Sequence, residues 1–157
     1  MATRAAAHAS GLRHRSVHML VFNAAGELYV QRRSFEKDCS PGLWDSSAAG
    51  HVATGENYRL AAGRELHEEL GLAQNTALTP LFKLDACQAT DFEFTWVYRC
   101  VATATVVPDP VEIIEGRWCG VEHLAKWIDL APTDFTTTFQ SIWPRGVDNI
   151  GSRLAVE

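Results

Sequence analysis

Three carboxylates, Glu65, Glu68 and Glu69, fall within five consecutive positions of the stretch GHVATGENYRLAAGRELHEELGL, residues 50–72. On a helix turning about 100° per residue they occupy one sector about 100° wide. Glu69 lies beside the stripe formed by Ala62, Leu66 and Leu70, the apolar face such a helix would bury. Glu65 and Glu69 are a like-charge i,i+4 pair, which destabilises a bare helix. A cation over that sector would relieve the repulsion. Arg64, four residues before Glu68, can pair with it. An ordinary solvated, Glu-rich surface is the competing explanation for three acids alone. A hard cation such as Mg²⁺ takes a few carboxylates together with waters and substrate phosphates, and a rigid helix presenting acids at i, i+3 and i+4 suits it. Gly50 permits close backbone approach, and Glu56 sits in the loop that feeds the helix.

The elements around this cluster must position it. Asn57 to Leu70 is the clearest helix, stopped by Gly71 just past its end. SVHMLVFN (16–23) and ELYVQRR (27–33) read as strands joined by a turn at Ala25-Gly26, which predicts a hairpin. Residues 35–50, with Pro41-Gly42 and many small side chains, read as a long shaped loop returning to a short strand. A loop of that length in a compact domain is functional or disordered. Residues 77–88 and 93–107 are rich in β-branched and aromatic side chains and should pair around Ala89-Thr90-Asp91. Residues 112–120 suggest a further strand, Val121–Leu130 a second helix, and Thr133–Ile142 a shorter third. This order predicts an α+β fold with the sheet between helices. It divides into an N-terminal arm (1–14), a main domain (15–130) and a C-terminal helix and tail (131–157) packed on that domain.

Composition limits the function classes. The 157 residues, 46% of them apolar, suffice for one sizeable core. A formal charge of −5 without a Lys/Arg run argues against a nucleic-acid polymer or an anionic membrane as partner. The N-terminal stretch lacks the apolar region of a signal peptide, and no segment approaches the ~18 apolar residues of a membrane span. Cys39, Cys87, Cys100 and Cys119 show no zinc or C-x-x-C spacing. They are expected as reduced, small core residues, which suits a cytoplasmic location. A monomer or homodimer is expected.

Gly50, Glu56, Arg64-Glu65-Leu66, Glu68-Glu69 and Gly71-Leu72 match G-x5-E-x7-R-E-U-x-E-E-x-G-U, where U is apolar, at nine positions over 23 residues. The chain thereby resembles the Nudix hydrolases. The resemblance implies the Nudix fold, a mixed β-sheet between α-helices. It also implies Mg²⁺- or Mn²⁺-dependent cleavage of a diphosphate linkage in a small molecule, a nucleoside diphosphate derivative or related organic pyrophosphate. By the same resemblance Glu65, Glu68 and Glu69 bind metal, the Gly50 carbonyl can join them, Glu56 supports the site and Arg64 orients the acids. Glu69 is the preferred general base, with Glu65 and either Glu112 or Glu115 as rivals.

The segments HRSVHMLVFN, QRRSFEKDCSPGLWD and SSAAGH are more narrowly similar to type I isopentenyl-diphosphate isomerases and the Nudix hydrolases grouped with them. That likeness implies diphosphate contacts for Arg33 and Lys37, against plain roles as a strand-end cation and a solvated lysine. It places His14 and His51 where the isomerases have metal-binding histidines, with His8 one residue off a third. Ala49 stands where those enzymes carry a catalytic cysteine, and Thr95 where they carry a glutamate. With the acidic motif intact, a hydrolase is favoured over an isomerase or a non-catalytic binding module. Trp44, Phe92 and Trp96 are open to either base stacking or the core.

Overall fold

The computed structural model describes the backbone of residues 13–154. The arm expected over residues 1–14, and His8 within it, therefore lie almost wholly outside the described residues. Seven strands form one mixed sheet, ordered β3-β2-β1-β6-β5, with β4 added to β1 and β7 added to β2. β1 (His14–Phe22) runs parallel to β6 (Glu93–Val101) along its whole length, and β5 (Thr79–Leu84) pairs antiparallel with β6.

The hairpin expected from residues 16–33 forms only at its tip. β1 and β2 (Leu28–Arg33) share the single register pair Phe22–Leu28 beyond the turn, where Asn23 Oδ1 accepts from the backbone of Ala25 and Glu27. Beyond it the two strands diverge. The 35–50 loop returns into the gap as β3 (Trp44–Asp45), which pairs with β2, and β4 (Ala48–His51), which pairs with β1. β7 (Ile113–Cys119) closes the far side of β2. Local alternation shows that a segment is a strand; which strand it pairs with is decided by the distant β6 and β7.

Strand alternation divides the core. Val17, Met19 and Val21 point to one face and meet Ala61, Ala62, Leu66 and Leu70 of helix α1 (Tyr58–Leu70). Leu20, Phe22, Leu28 and Val30 point to the other and meet Leu124 and Ile128 of α2 (Val121–Leu130), then Phe135, Phe139, Ile142 and Trp143. The sheet is thus sandwiched between helices, as expected. The third helix differs. Thr133 lies in a single 3₁₀ turn, and α3 spans Thr137–Leu154, 18 residues, with Pro144 inside it. The apolar spacing of Phe139, Ile142, Trp143 and Val147 continues across the proline, and this buried stripe carries the helix through it.

Residues 102–112, part of which composition assigned to a strand, instead wrap the end of α1. The amides of Val107 and Asp109 donate to the carbonyls of Leu70 and Glu69. Gly71 (φ 67°) and Leu72 donate back to His67 and Leu66, so four carbonyls at the end of the helix have partners. Cys100 and Cys119 are buried as expected, but Cys87 is exposed and Cys39 only partly covered. Among the described residues no helix is long and apolar enough to cross a membrane.

At the other end of α1, Asn57 Oδ1 accepts from the Leu60 amide and caps the helix that carries the acids. Asn57→Ala should cost about 1 kcal/mol, which for a domain of this size lowers the melting temperature by about 2–4 °C. Thermal unfolding followed by circular dichroism measures it.

Candidate functional site

Helix α1 lies against β4, and Arg64 fastens the two. Its guanidinium donates to both oxygens of Glu56 (3.0 Å each), to Glu65 (2.7 Å), to Glu68 (3.2 Å) and to the backbone carbonyl of His51 (3.0 Å). The Arg64 bond holds the Glu56 carboxyl below its ordinary value, and Glu56 in turn pushes Arg64 further up. Glu56 also accepts from the Ala53 amide at 2.9 Å, which shapes the loop before the helix. Glu65 faces inward beneath Gly50, whereas the Glu68 side chain is 56% exposed. A Cβ built on Gly50 would overlap the Glu65 carboxyl group, so only glycine lets this strand and this acid approach.

Glu69 is 5% exposed, the most enclosed acid on α1. Gln31 Nε2 donates to it at 2.9 Å, and the Ala49 amide reaches the same oxygen at 3.4 Å. Burial pushes its pKa up to about 7; the Glu65 charge adds to the rise, while the bond from Gln31 and the charge of Lys37 oppose it. A cation beside Glu65 and Glu69 would favour the charged form of both. The inward carboxylates of Glu65 and Glu69 are oxygen donors of the kind that hard divalent cations take, so they fit such an ion by donor chemistry, whereas Glu68 stands outward on Arg64.

On the other side of β4, where β1 and β2 part, lies a cavity of about 220 Å³. Gly50 belongs to both sides. Arg33 and Lys37 line the cavity, as do Glu112, Ala49 and His51. Arg33 is steadied by Asp45 at 3.3 Å and by the Cys39 carbonyl, and Lys37 is paired with Glu112. Glu115 is turned away, bonded to Arg117 at 2.7 Å and near Arg32. Of the two downstream acids, only Glu112 reaches this space. Trp44 is buried edge-to-face against Trp127, and Trp96 packs near Tyr58 and Tyr98. Neither lines the cavity, nor does Phe92.

The sheet register assembles a second group. His14 faces Glu93 across β1 and β6, and Ser16 faces both Thr95 and His51. His14 Nε2 lies 2.9 Å from His51 Nε2, and both lie within 3.0 Å of Glu93 Oε1. Burial alone would raise Glu93, but bonds with His14, His51 and Ser16 hold it well below the usual carboxylate range. Two imidazoles and a carboxylate, with donor atoms inside 4.8 Å, could hold a transition metal or Mn²⁺. Ser16 and Thr95 share a 2.7 Å hydrogen bond, so Thr95 serves that pair. Glu93 and Gln31 were not picked out from sequence. The alternation His14, Ser16, His18 marks one polar strand face, but its partner strand lies 79 residues away.

Without metal, the Glu69 shift links stability to pH. The group is protonated in the fold up to about pH 7 but ionises near 4.5 when unfolded. Below 4.5 it is neutral in both states and costs nothing. Between 4.5 and 7 the unfolded chain loses its proton first, so stability falls as pH rises. A shift from 4.5 to about 7 amounts to roughly 3 kcal/mol. In EDTA, the gain in melting temperature from Glu69→Gln should therefore be larger at pH 8 than at pH 5. An equal effect at both would show that Glu69 ionises in the fold as it does in water.

The NUDIX domain family model matches residues 12–139. The chain is 33% identical over 144 residues to an isopentenyl-diphosphate Delta-isomerase of Pectobacterium atrosepticum, covering 88% of this chain and 79% of that one. A Nudix hydrolase of Pseudomonas aeruginosa, named as uncharacterized, is 51% identical over 69 residues, covering 44% of this chain and 41% of that one. The fold superposes on a crystal structure from Deinococcus radiodurans with a TM-score of 0.67 and 34% identity, covering 75% and 74% of the two chains. It superposes on a MutT protein of Methanosarcina mazei at 0.71 with 23% identity, covering 85% and 91%. With the acid-bearing helix, its glycine-backed strand and these likenesses in agreement, the chain belongs to the NUDIX domain family, on a branch similar to the isopentenyl-diphosphate isomerases.

Proposed function

We propose that this protein hydrolyses a diphosphate linkage in a small organic pyrophosphate, such as a nucleoside diphosphate derivative, with Mg²⁺ or Mn²⁺. The observation that carries this is the placement of Glu65 and Glu69, two carboxyl groups turned inward, with Glu65 against a glycine on which a Cβ would overlap its carboxyl group. Glu65, Glu68, Glu69 and the Gly50 carbonyl would hold the ion. Bound there, it neutralises phosphate oxygens and lowers the pKa of a water. Arg64 and Glu56 orient the acids. Glu69, the most enclosed of the acids on α1, takes the proton from the attacking water; Glu112, across β4, is the rival base that reaches the cavity. Arg33 and Lys37 bind the phosphates, and Lys37 exchanges Glu112 for them. His14, His51 and Glu93 form a second position for a metal.

Isomerase activity is the second reading, favoured by the relatives that carry that name. It needs side chains that give and take protons at the alkene. Ala49 lines the cavity with only a methyl group, and the Thr95 hydroxyl is committed to Ser16. Incubation with isopentenyl diphosphate in deuterated water should give no catalytic deuterium incorporation into carbon, and catalytic incorporation would overturn the hydrolase assignment.

Glu69→Gln keeps the size of the side chain and removes its charge. It should lower kcat for metal-dependent phosphate release by at least about 100-fold. Should Glu65→Gln, Glu68→Gln and Glu69→Gln all retain wild-type rates, the site is assigned to the wrong residues.

A further inference from the structure

Next along the face of β1 that carries His14 and Ser16 is His18, which is 4% exposed. Beyond it the same face turns apolar with Leu20 and Phe22, which join the core. An imidazole in such a place is costly to bury unless its nitrogens have partners. One nitrogen has them. Nδ1 lies 2.7 Å from Ser46 Oγ and 3.7 Å from Asp45 Oδ1, and both of those residues are buried. Nε2, on the far side of the ring, has no hydrogen-bond partner among the described residues and is not a sealed, unpaired atom. The ring lines the cavity beside β4.

Asp45 ties this ring to Arg33. β1 and β2 have parted here, and β3 brings Asp45 in beside β2. Its Oδ2 accepts from Arg33 Nη1 at 3.3 Å. Its Oδ1 accepts from the Ser46 amide at 2.7 Å and stands behind the His18 ring. One buried carboxylate therefore sets a guanidinium from β2 and an imidazole from β1 on the same cavity wall. Arg33 Nε and Nη2 also donate to the Cys39 carbonyl, which still leaves guanidinium N–H groups over for a ligand.

We propose that His18 is a phosphate-binding residue, its Nε2–H donating to an oxygen of the phosphate group that Arg33 holds. The inference rests on the phosphate-binding role given above to Arg33 and Lys37, and adds a further contact to that site. A diphosphate oxygen is an acceptor, so it selects the forms of the ring in which Nε2 carries a proton. The surroundings serve both of them. In the neutral tautomer Ser46 Oγ donates to Nδ1. In the imidazolium Nδ1 donates to Ser46 Oγ, and the Ser46 hydroxyl turns to the Ala48 carbonyl, 3.4 Å away. A hydrogen bond to a charged group is among the stronger ones, and a ring already fixed at Nδ1 loses little freedom in making it.

Amide side chains separate the two nitrogens, because Asn places a polar atom near the position of Nδ1 and Gln near that of Nε2. The probe is methylenediphosphonate, a diphosphate mimic that resists hydrolysis, titrated calorimetrically into the full-length protein with Mg²⁺. His18→Asn should weaken binding at least about tenfold, and His18→Gln by less than about threefold. A histidine needed only for its bond to Ser46 would give the reverse order. That order, equal losses, or no loss in His18→Asn overturns the proposal. Arg33→Ala should also weaken binding at least about tenfold. If Arg33→Ala binds as tightly as the wild type, or the wild type does not bind, the phosphates are assigned to the wrong cavity and the proposal falls with that assignment. If Arg33→Ala weakens binding and His18→Asn does not, the phosphate site stands and only His18 is misplaced. Should an amide variant fail to fold, as judged by circular dichroism, nitrogen NMR of histidine-labelled wild-type protein decides. In the methylenediphosphonate complex His18 Nε2 should carry a proton, and a bare Nε2 overturns the proposal.

Discussion

The guanidinium of Arg64 donates to Glu56, Glu65 and Glu68 and to the carbonyl of His51, which puts one fixed cation among three carboxylates at the seam between α1 and β4. Arginine suits this place because its donors are rigidly planar and stay charged at any ordinary pH. A lysine could neutralise one of these acids but could not span a helix, a loop and a strand at once. The bond to the His51 carbonyl sets how deep α1 sits, and that depth brings Glu65 under Gly50 and Glu69 against Gln31. The acids thus keep their spacing before any ion arrives. Glu65 and Glu69 face inward, and Glu68 stays at the surface.

The divergence of β1 and β2 provides the room. A continuous hairpin would fill the space with ladder hydrogen bonds and leave neither a cavity nor an edge for β4 to join. Because β3 and β4 enter instead, the backbone at Ala49 and Gly50 becomes a thin wall with acids behind it and the cations Arg33 and Lys37 in front. The pleat of β4 aims Gly50 toward Glu65 and turns Ala49 and His51 the other way, so one short strand serves two chemistries.

Local order was legible from sequence wherever it depends on neighbours in the chain. The α1 helix, its Gly71 stop, the inward position of Glu69 and the sandwich of sheet between helices all follow from spacing and side-chain type, whereas Asn57, expected as the first helical residue, is its cap. What escaped depends on distant partners. Glu93 joins His14 only through the register of a parallel pair, and Gln31 reaches Glu69 from another strand. The β-branched run after Val101 has strand composition, yet its Val107 amide, and that of Asp109 just beyond it, are claimed by the carbonyls at the end of α1. The third helix, expected over Thr133–Ile142, instead spans Thr137–Leu154 because its buried stripe continues past Pro144 to Val147.

The parallel pairing of β1 with β6 also governs the order of assembly. Residues 79 positions apart must meet before the central strand gains its partner. At a synthesis rate of about 5–20 residues per second, the ribosome makes that intervening stretch in about 4–16 s. During this interval β1 can pair with β4 and cover α1, but the opposite edge of β1 stays open. A nascent chain therefore holds its acid-bearing helix early and its histidine–glutamate cluster late. The half-made protein thus carries its carboxylate helix before His14 and His51 gain Glu93 as a partner, which waits for β6.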